Sequence, residues 1–180
     1  MKEISLNILD VAENSVKAQA TLTEILIDET PDTLTLIIRD DGTGMDRQTV
    51  ESVTDPFFTT RTTRKVGMGV PFLKLAAQQT DGSFSVESSV KEENHGTTVK
   101  AVFNKNHLDY TPLGDIVSSI VTLIQGHPDT DFYFSHKKGE SEITLDTREL
   151  RQVLEGVPLN SYEVIKWIEE YLKEQYSEIR

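Results

Sequence analysis

A two-layer α+β sandwich, with a mixed sheet in one layer and helices in the other, is the fold class this sequence predicts. Three observations carry it: an amphipathic helical repeat at the start, pairs of alternating segments joined by turn residues, and glycine turns between strand and helix. Over residues 1–104 the order is helix, hairpin, glycine turn, loop, glycine turn, helix, hairpin. The chain has 180 residues, room for one ordinary domain with a small companion. It contains no cysteine, which excludes a disulfide framework and a thiolate zinc site. A net charge of −12 argues against a nucleic-acid-coating surface. No run reaches the ~20 apolar residues of a membrane helix, and the start is no signal peptide. A cytoplasmic protein without a membrane or nucleic-acid partner is expected.

Residues 1–20 read as a helix with Ile8, Leu9, Ala12 and Val16 on one side. At roughly 100° per residue, Asp10, Asn14 and Lys17 fall within about 60° of one another on the other. An amide oxygen can ligate Mg²⁺, an ammonium can meet phosphate, and a carboxylate can orient or deprotonate a water. A solvated helix face would show the same ladder. Leu22 to Asp28, the turn Pro31-Asp32 and Leu34 to Arg39 form a hairpin. It runs into Asp40-Asp41-Gly42-Thr43-Gly44-Met45. A carboxylate ending a buried strand can accept from an amino group such as adenine offers, and the glycines let backbone approach a flat ligand. A plain loop fits equally well at this point.

After Met45 comes a short polar segment, then Asp55-Pro56-Phe57-Phe58-Thr59-Thr60-Arg61. From there to Val66 the chain is polar, threonine-rich and basic, and reads as a mobile loop. Gly67-Met68-Gly69-Val70-Pro71 opens a helix that stops at Asp81-Gly82, and free N–H groups at such a helix start can hold an anion. Ser83 to Val90 and Gly96 to Phe103 read as strands joined by a polar turn, with His95 a turn residue.

Four stretches, in order, resemble the ATP-binding domain shared by sensor histidine kinases, type II topoisomerases, the ninety-kilodalton heat-shock chaperone and mismatch-repair ATPases. Asp10-Val11-Ala12-Glu13-Asn14-Ser15-Val16-Lys17-Ala18 is similar to its asparagine box, and Asp40-x-Gly42-x-Gly44-Met45 to its first glycine box. Asp55 to Arg61 followed by Gly67-Met68-Gly69-Val70 resembles the phenylalanine and second glycine boxes of the histidine kinases, and Gly96-Thr97 the closing element. The resemblance implies the Bergerat ATP-binding fold over residues 1–104, with ATP and Mg²⁺ as ligands. It implies that Asp40 meets the adenine amino group, with Thr97 nearby through water, and that Gly42, Gly44 and Met45 shape that end. Asn14 would ligate Mg²⁺ and Lys17 would meet phosphate. Backbone amides near Gly67, Met68, Gly69 and Val70 would hold the phosphate tail. Thr59 and Arg61 would contact nucleotide from a lid over residues 54–66, anchored by Phe57 and Phe58.

Two departures bear on activity. Asp10 stands where many family ATPases carry glutamate, one methylene shorter, which leaves it a tentative general base. Lys65 replaces the first glycine of the second glycine box. No phosphoacceptor histidine domain precedes the asparagine box in this sequence, so a protein partner supplied in trans is expected. Two readings stay open: a soluble protein kinase or slow ATPase acting on such a partner, and an ATP-gated protein-binding module.

Residues 105–180 lie outside the resemblance and read as a small α+β unit of unknown role, packed on or tethered to the ATP domain. The patterns predict a helix within Leu113–Gln125, a hairpin of Phe132–Phe134 with Ile143–Leu145, and a short helix over Thr147–Leu154. A long helix over Asn160–Tyr176 follows, with Asn160 and Glu163 as a capping box and Ile165, Ile168 and Leu172 inward. Its aromatics are expected in the core, and His107, His127 and His136 on the surface.

Overall fold

The computed structural model describes residues 3–55 and 69–179. Helix α1 (Ile4–Lys17) leads to the hairpin of β1 (Leu22–Glu29) and β2 (Thr33–Asp40). Helices α2 (Arg47–Val53) and α3 (Gly69–Gln79) precede the hairpin of β3 (Ser83–Ser89) and β4 (Gly96–Asn104). Then come α4 (Ile116–Gly126), β5 (Asp131–Lys138), β6 (Ser141–Asp146), α5 (Thr147–Leu154) and α6 (Tyr162–Glu178).

The strands form one six-stranded sheet in the order β3-β4-β2-β1-β5-β6. Every neighbouring pair is antiparallel except β1 with β5, which run parallel and make the sheet mixed. Period-two alternation sends Ile25, Ile27, Leu36, Ile38, Val99 and Phe103 to one face, where they are buried beneath the helices. Helix α1 sits centrally on that face, touching α3 on one flank and α4 on the other. The two-layer α+β architecture expected from the sequence is the one observed.

Being flanked on both sides changes which residues of α1 are buried. Ile4, Ile8, Val11 and Ala12 are buried, together with the polar Ser5, Asn7 and Ser15. Leu9 and Val16, expected inward, are only half-buried. The segment after Met45 is a helix, α2, whose start is capped by Asp46 accepting from the Thr49 N–H at 2.8 Å. None of its residues is buried, so it carries no apolar stripe to announce it.

The boundary expected at residue 104 coincides with the end of β4, but the following segment shares the sheet and core of what precedes it. β5 pairs with β1 from Leu22↔Asp131 to Glu29↔Lys138. The first N–H groups of α1 are satisfied from the same segment: Ile4 and Ser5 donate to the carbonyls of Pro112 and Leu113 at 2.9 and 2.8 Å. Ser119 Oγ donates to the Ser5 carbonyl at 2.9 Å, and His127 Nε2 lies 2.7 Å from Glu13 Oε2.

Four expectations for this segment are corrected. The capping box does not form: α6 starts one residue later than it requires, with Ser161 as N-cap and no side-chain cap bond. Trp167 is half-exposed and stacked on Tyr171 rather than buried, and Val164 takes the inward place beside Ile168 and Leu172. His136 is 2% exposed, not a surface residue. Its Nε2 lies 2.9 Å from Glu29 Oε2 and its Nδ1 2.7 Å from Tyr176 Oη. Lys105 Nζ holds the other oxygen of Glu29 at 2.8 Å, so β1, β5, α6 and the turn after β4 meet at this cluster. Burial pushes the His136 pKa down, against the pull of Glu29. The neutral ring then donates from Nε2 to Glu29 and accepts at Nδ1 from the Tyr176 hydroxyl.

Candidate functional site

The carboxyl end of β2, the amino end of β4 and the later half of α1 enclose a cavity of about 140 Å³. Its walls are apolar: Val11, Ile38, Val53, Val70, Val86 and Val99, with Met45 at one side. Its polar groups are few: Asn14, Ser15, Asp40 and Thr97. A pocket holding a whole drug-sized ligand takes ~300–1,000 Å³. This one has room for a flat ring system but not for a whole nucleotide.

The glycines are where the backbone leaves room for nothing else. Gly44 has φ +77°, and a Cβ there would stand 1.8 Å from the Ser89 carbonyl oxygen. Gly96 has φ +139°, and its Cβ would stand 2.1 Å from the Asp40 carbonyl oxygen. Both conformations disfavour any L side chain, and both contacts forbid one. The first glycine turn and the Gly-Thr element are thus pressed together, which seats Thr97 beside Asp40 in the register of β2 with β4.

Asp40 is tightly held. Its Oδ2 accepts from Ser15 Oγ at 2.6 Å and its Oδ1 from the Gly42 N–H at 2.8 Å. Asp41 points elsewhere, accepting from the N–H groups of Thr21 and Leu22 at 2.7 and 3.0 Å and from the Thr21 hydroxyl. Burial alone would raise the Asp41 carboxyl, but these hydrogen bonds outweigh it and hold it below its ordinary value. The two aspartates therefore divide the work: Asp41 ties the loop to β1, and Asp40 faces the cavity.

Along α1, Asp10, Asn14 and Lys17 occupy the expected face, and Asn14 lines the cavity. Asn14 Oδ1 is buried with no hydrogen-bond partner among the described residues. An orphaned oxygen there is the kind of hard ligand Mg²⁺ takes, so Asn14 could supply one position of its shell. Asp10 lies against the start of α3, where a Cβ on Gly69 would come 2.7 Å from the Asp10 Cβ. The Asp10 carboxyl is raised above its ordinary value by burial and by Glu13, with Lys17 pulling the other way. A raised carboxylate is a better proton acceptor. Gly69 and Val70 open α3 beside Asp10, and Val70 lines the cavity. Thr59, Arg61, Gly67 and Met68, with Phe57, Phe58 and most of the expected lid, lie outside the described residues.

Three groups at the site were not foreseen. Ser15 orients Asp40, and Ser88 lies behind Thr97 with Oγ 2.7 Å from Thr97 Oγ1. His95, expected as a turn residue, also braces the glycine turn: its Nδ1 is 2.7 Å from the Gly42 carbonyl, to which it must donate. The apolar walls were legible only as strand and helix residues.

With this geometry in hand, the chain can be set beside known proteins. The sequence profile of the histidine kinase-, DNA gyrase B-, and HSP90-like ATPases matches residues 2–107. A protein of Shewanella frigidimarina described as a candidate sensor is 26% identical over 104 residues, 57% of this chain but 15% of its own length. Among solved structures, the N-terminal domain of a DNA repair protein superposes with a TM-score of 0.57 at 14% identity, covering 81% of this chain and 53% of its own. The Aquifex aeolicus MutL ATPase domain complexed with ADP gives 0.50 at 16% identity, covering 86% of this chain and 70% of its own. The chain thus spans a small part of its curated relative. At those coverages both superpositions include residues beyond 107. The profile match extends over more than half the chain, and every residue that lines the cavity falls within it: this protein belongs to the histidine kinase-, DNA gyrase B-, and HSP90-like ATPase family.

Proposed function

We propose that the chain binds Mg²⁺-ATP at the Asp40 cavity and passes the terminal phosphoryl group to a nucleophile, either a group on a protein partner or water. The observation that carries this reading is the buried Oδ1 of Asn14, without a partner among the described residues, beside the apolar cavity and one turn along α1 from the raised carboxylate of Asp10. Adenine fits the cavity, with its amino group donating to Asp40. The phosphates then run past Asn14 toward the N-terminus of α3, where the helix dipole favours anions. Asn14 would hold Mg²⁺, which when bound neutralises phosphate charge. Asp10 takes the proton from the attacking hydroxyl as its oxygen bonds to phosphorus, and ADP leaves. Lys17, one turn further along α1, adds positive charge on the phosphate side.

A second reading, an ATP-gated protein-binding module, draws on the shortness of Asp10 and on the union of α1 with residues 112–127, which ties the nucleotide helix to the C-terminal segment. Incubation with ATP labelled on the γ-phosphate, alone and with cell extract, separates them. Label on a protein supports transfer and free labelled phosphate supports hydrolysis. Tight ATP binding with neither product leaves the binding module.

A further inference from the structure

The polar end of the cavity has a directionality that its lining residues alone do not set. Ser88, on β3, stands behind Thr97 rather than in the wall. The Met45 N–H donates to Ser88 Oγ at 2.8 Å, and the Ser88 hydroxyl donates to the Gly96 carbonyl at 3.0 Å. The Thr97 hydroxyl is the third neighbour, at 2.7 Å. A serine hydroxyl has one proton and two lone pairs. The Gly96 carbonyl can only accept, so it takes the Ser88 proton. The Met45 N–H fills one lone pair, and the other is left for a donor, which must be Thr97.

The Thr97 proton is then spent on Ser88, and Thr97 Oγ1 offers the cavity lone pairs only. Asp40 offers nothing else either, since Ser15 and Gly42 both donate to it. We propose that Ser88 is a positioning residue that makes this end of the cavity an acceptor-only surface, and so selects purine nucleotides bearing a 6-amino group over those bearing a 6-oxo group. The inference rests on the reading that the cavity takes a purine nucleotide. A 6-amino group presents donors to Asp40 and Thr97, directly or through a water whose protons point at them. A 6-oxo group presents an acceptor to acceptors.

The test is calorimetric titration of the full chain with ATP and with inosine triphosphate, both with Mg²⁺, on wild type, Ser88→Ala, Ser88→Thr and Thr97→Val. Thermal melts confirm that each variant is folded. The readout is the ratio of the two affinities, which a general loosening of the loop would leave unchanged. In Ser88→Ala the Thr97 proton is free to turn toward the ligand, and the ratio narrows by roughly 2- to 12-fold, the span of one neutral hydrogen bond. Ser88→Thr, which keeps the hydroxyl, keeps the wild-type ratio. If Ser88→Ala does not fold, Thr97→Val decides: removing an acceptor narrows the ratio, whereas removing a donor would widen it. An unchanged ratio in folded Ser88→Ala, or a wider one in Thr97→Val, overturns the assignment. Wild-type protein that binds neither nucleotide overturns the proposed function itself, a result distinguishable from both.

Discussion

Replacing Asp40 with asparagine keeps the side-chain volume and one oxygen, but removes the charge and turns one acceptor into a donor. The structure dictates which atom becomes the nitrogen. The Gly42 N–H, 2.8 Å from Oδ1, requires an acceptor there, so the amide nitrogen takes the place of Oδ2 opposite Ser15. The Ser15 hydroxyl can reverse and accept one of its hydrogens. The other is left to confront the adenine amino group, donor against donor. A hydrogen bond to a charged group contributes about 1.5–3 kcal/mol, so the ATP dissociation constant should rise roughly 10- to 150-fold. Because the Gly42 and Ser15 contacts both survive, the melting temperature should hardly move. Calorimetry on the folded variant reads the effect. A dissociation constant within twofold of wild type would refute the placement of adenine against Asp40.

Asn14→Ala removes the orphaned Oδ1, so ATP affinity should fall several-fold with Mg²⁺ and much less with chelator present; equal losses under both conditions would mean that Asn14 supports the fold, not the ion. Asp10→Asn should leave ATP affinity within a few-fold of wild type while abolishing release or transfer of labelled γ-phosphate, and undiminished turnover would remove Asp10 as the base. Stability should fall on mild acidification. Burial holds the folded-state pKa of His136 below its ordinary 6.5, so the unfolded chain takes up a proton first as pH falls. For Glu29, burial acts upward, but the bonds from Lys105 and His136 outweigh it and lower its pKa from 4.5. Both contributions are fully present above pH ~6.5 and are lost progressively below it, His136 before Glu29. Thermal melts at pH 7.5 and 5.5 should show the decline, and His136→Phe should flatten it; a melting temperature unaffected by pH in the wild type would argue against a neutral buried His136.

What could be read in the sequence follows from which constraints are local. Gly42, Gly44 and Gly96 were legible because close backbone approach leaves few alternatives, and Asp40 because a carboxylate ending an apolar strand is conspicuous. Ser15 and Ser88 were not, because serine is tolerated everywhere and their roles arise only when separate segments meet. His136 did leave a signal: alternation along β5 places it on the inward face with Phe132 and Phe134. It was outweighed because histidine is only intermediate in burial, so alternation alone does not place it inside. The joining of residues 105–179 to the sheet had no local sign at all. A parallel pair such as β1 with β5 needs no turn between its strands, and its partners here lie far apart along the chain. Helix α2 escaped notice because an exposed helix lacks a stripe, although Asp46 three residues before Thr49 is a usable cap signature.

In the proposed reading, the acceptor-only Asp40 end of the cavity and the Asn14 oxygen, orphaned among the described residues, together make an adenine-nucleotide site. Its most direct test is calorimetric titration of the wild-type chain with ATP and GTP, each with and without Mg²⁺. Saturable one-site binding of ATP, strengthened by Mg²⁺, is the expected result, with GTP at least tenfold weaker because its 6-oxo group faces the Asp40 carboxylate. Equal affinity for the two nucleotides, or ATP binding indifferent to Mg²⁺, would contradict it.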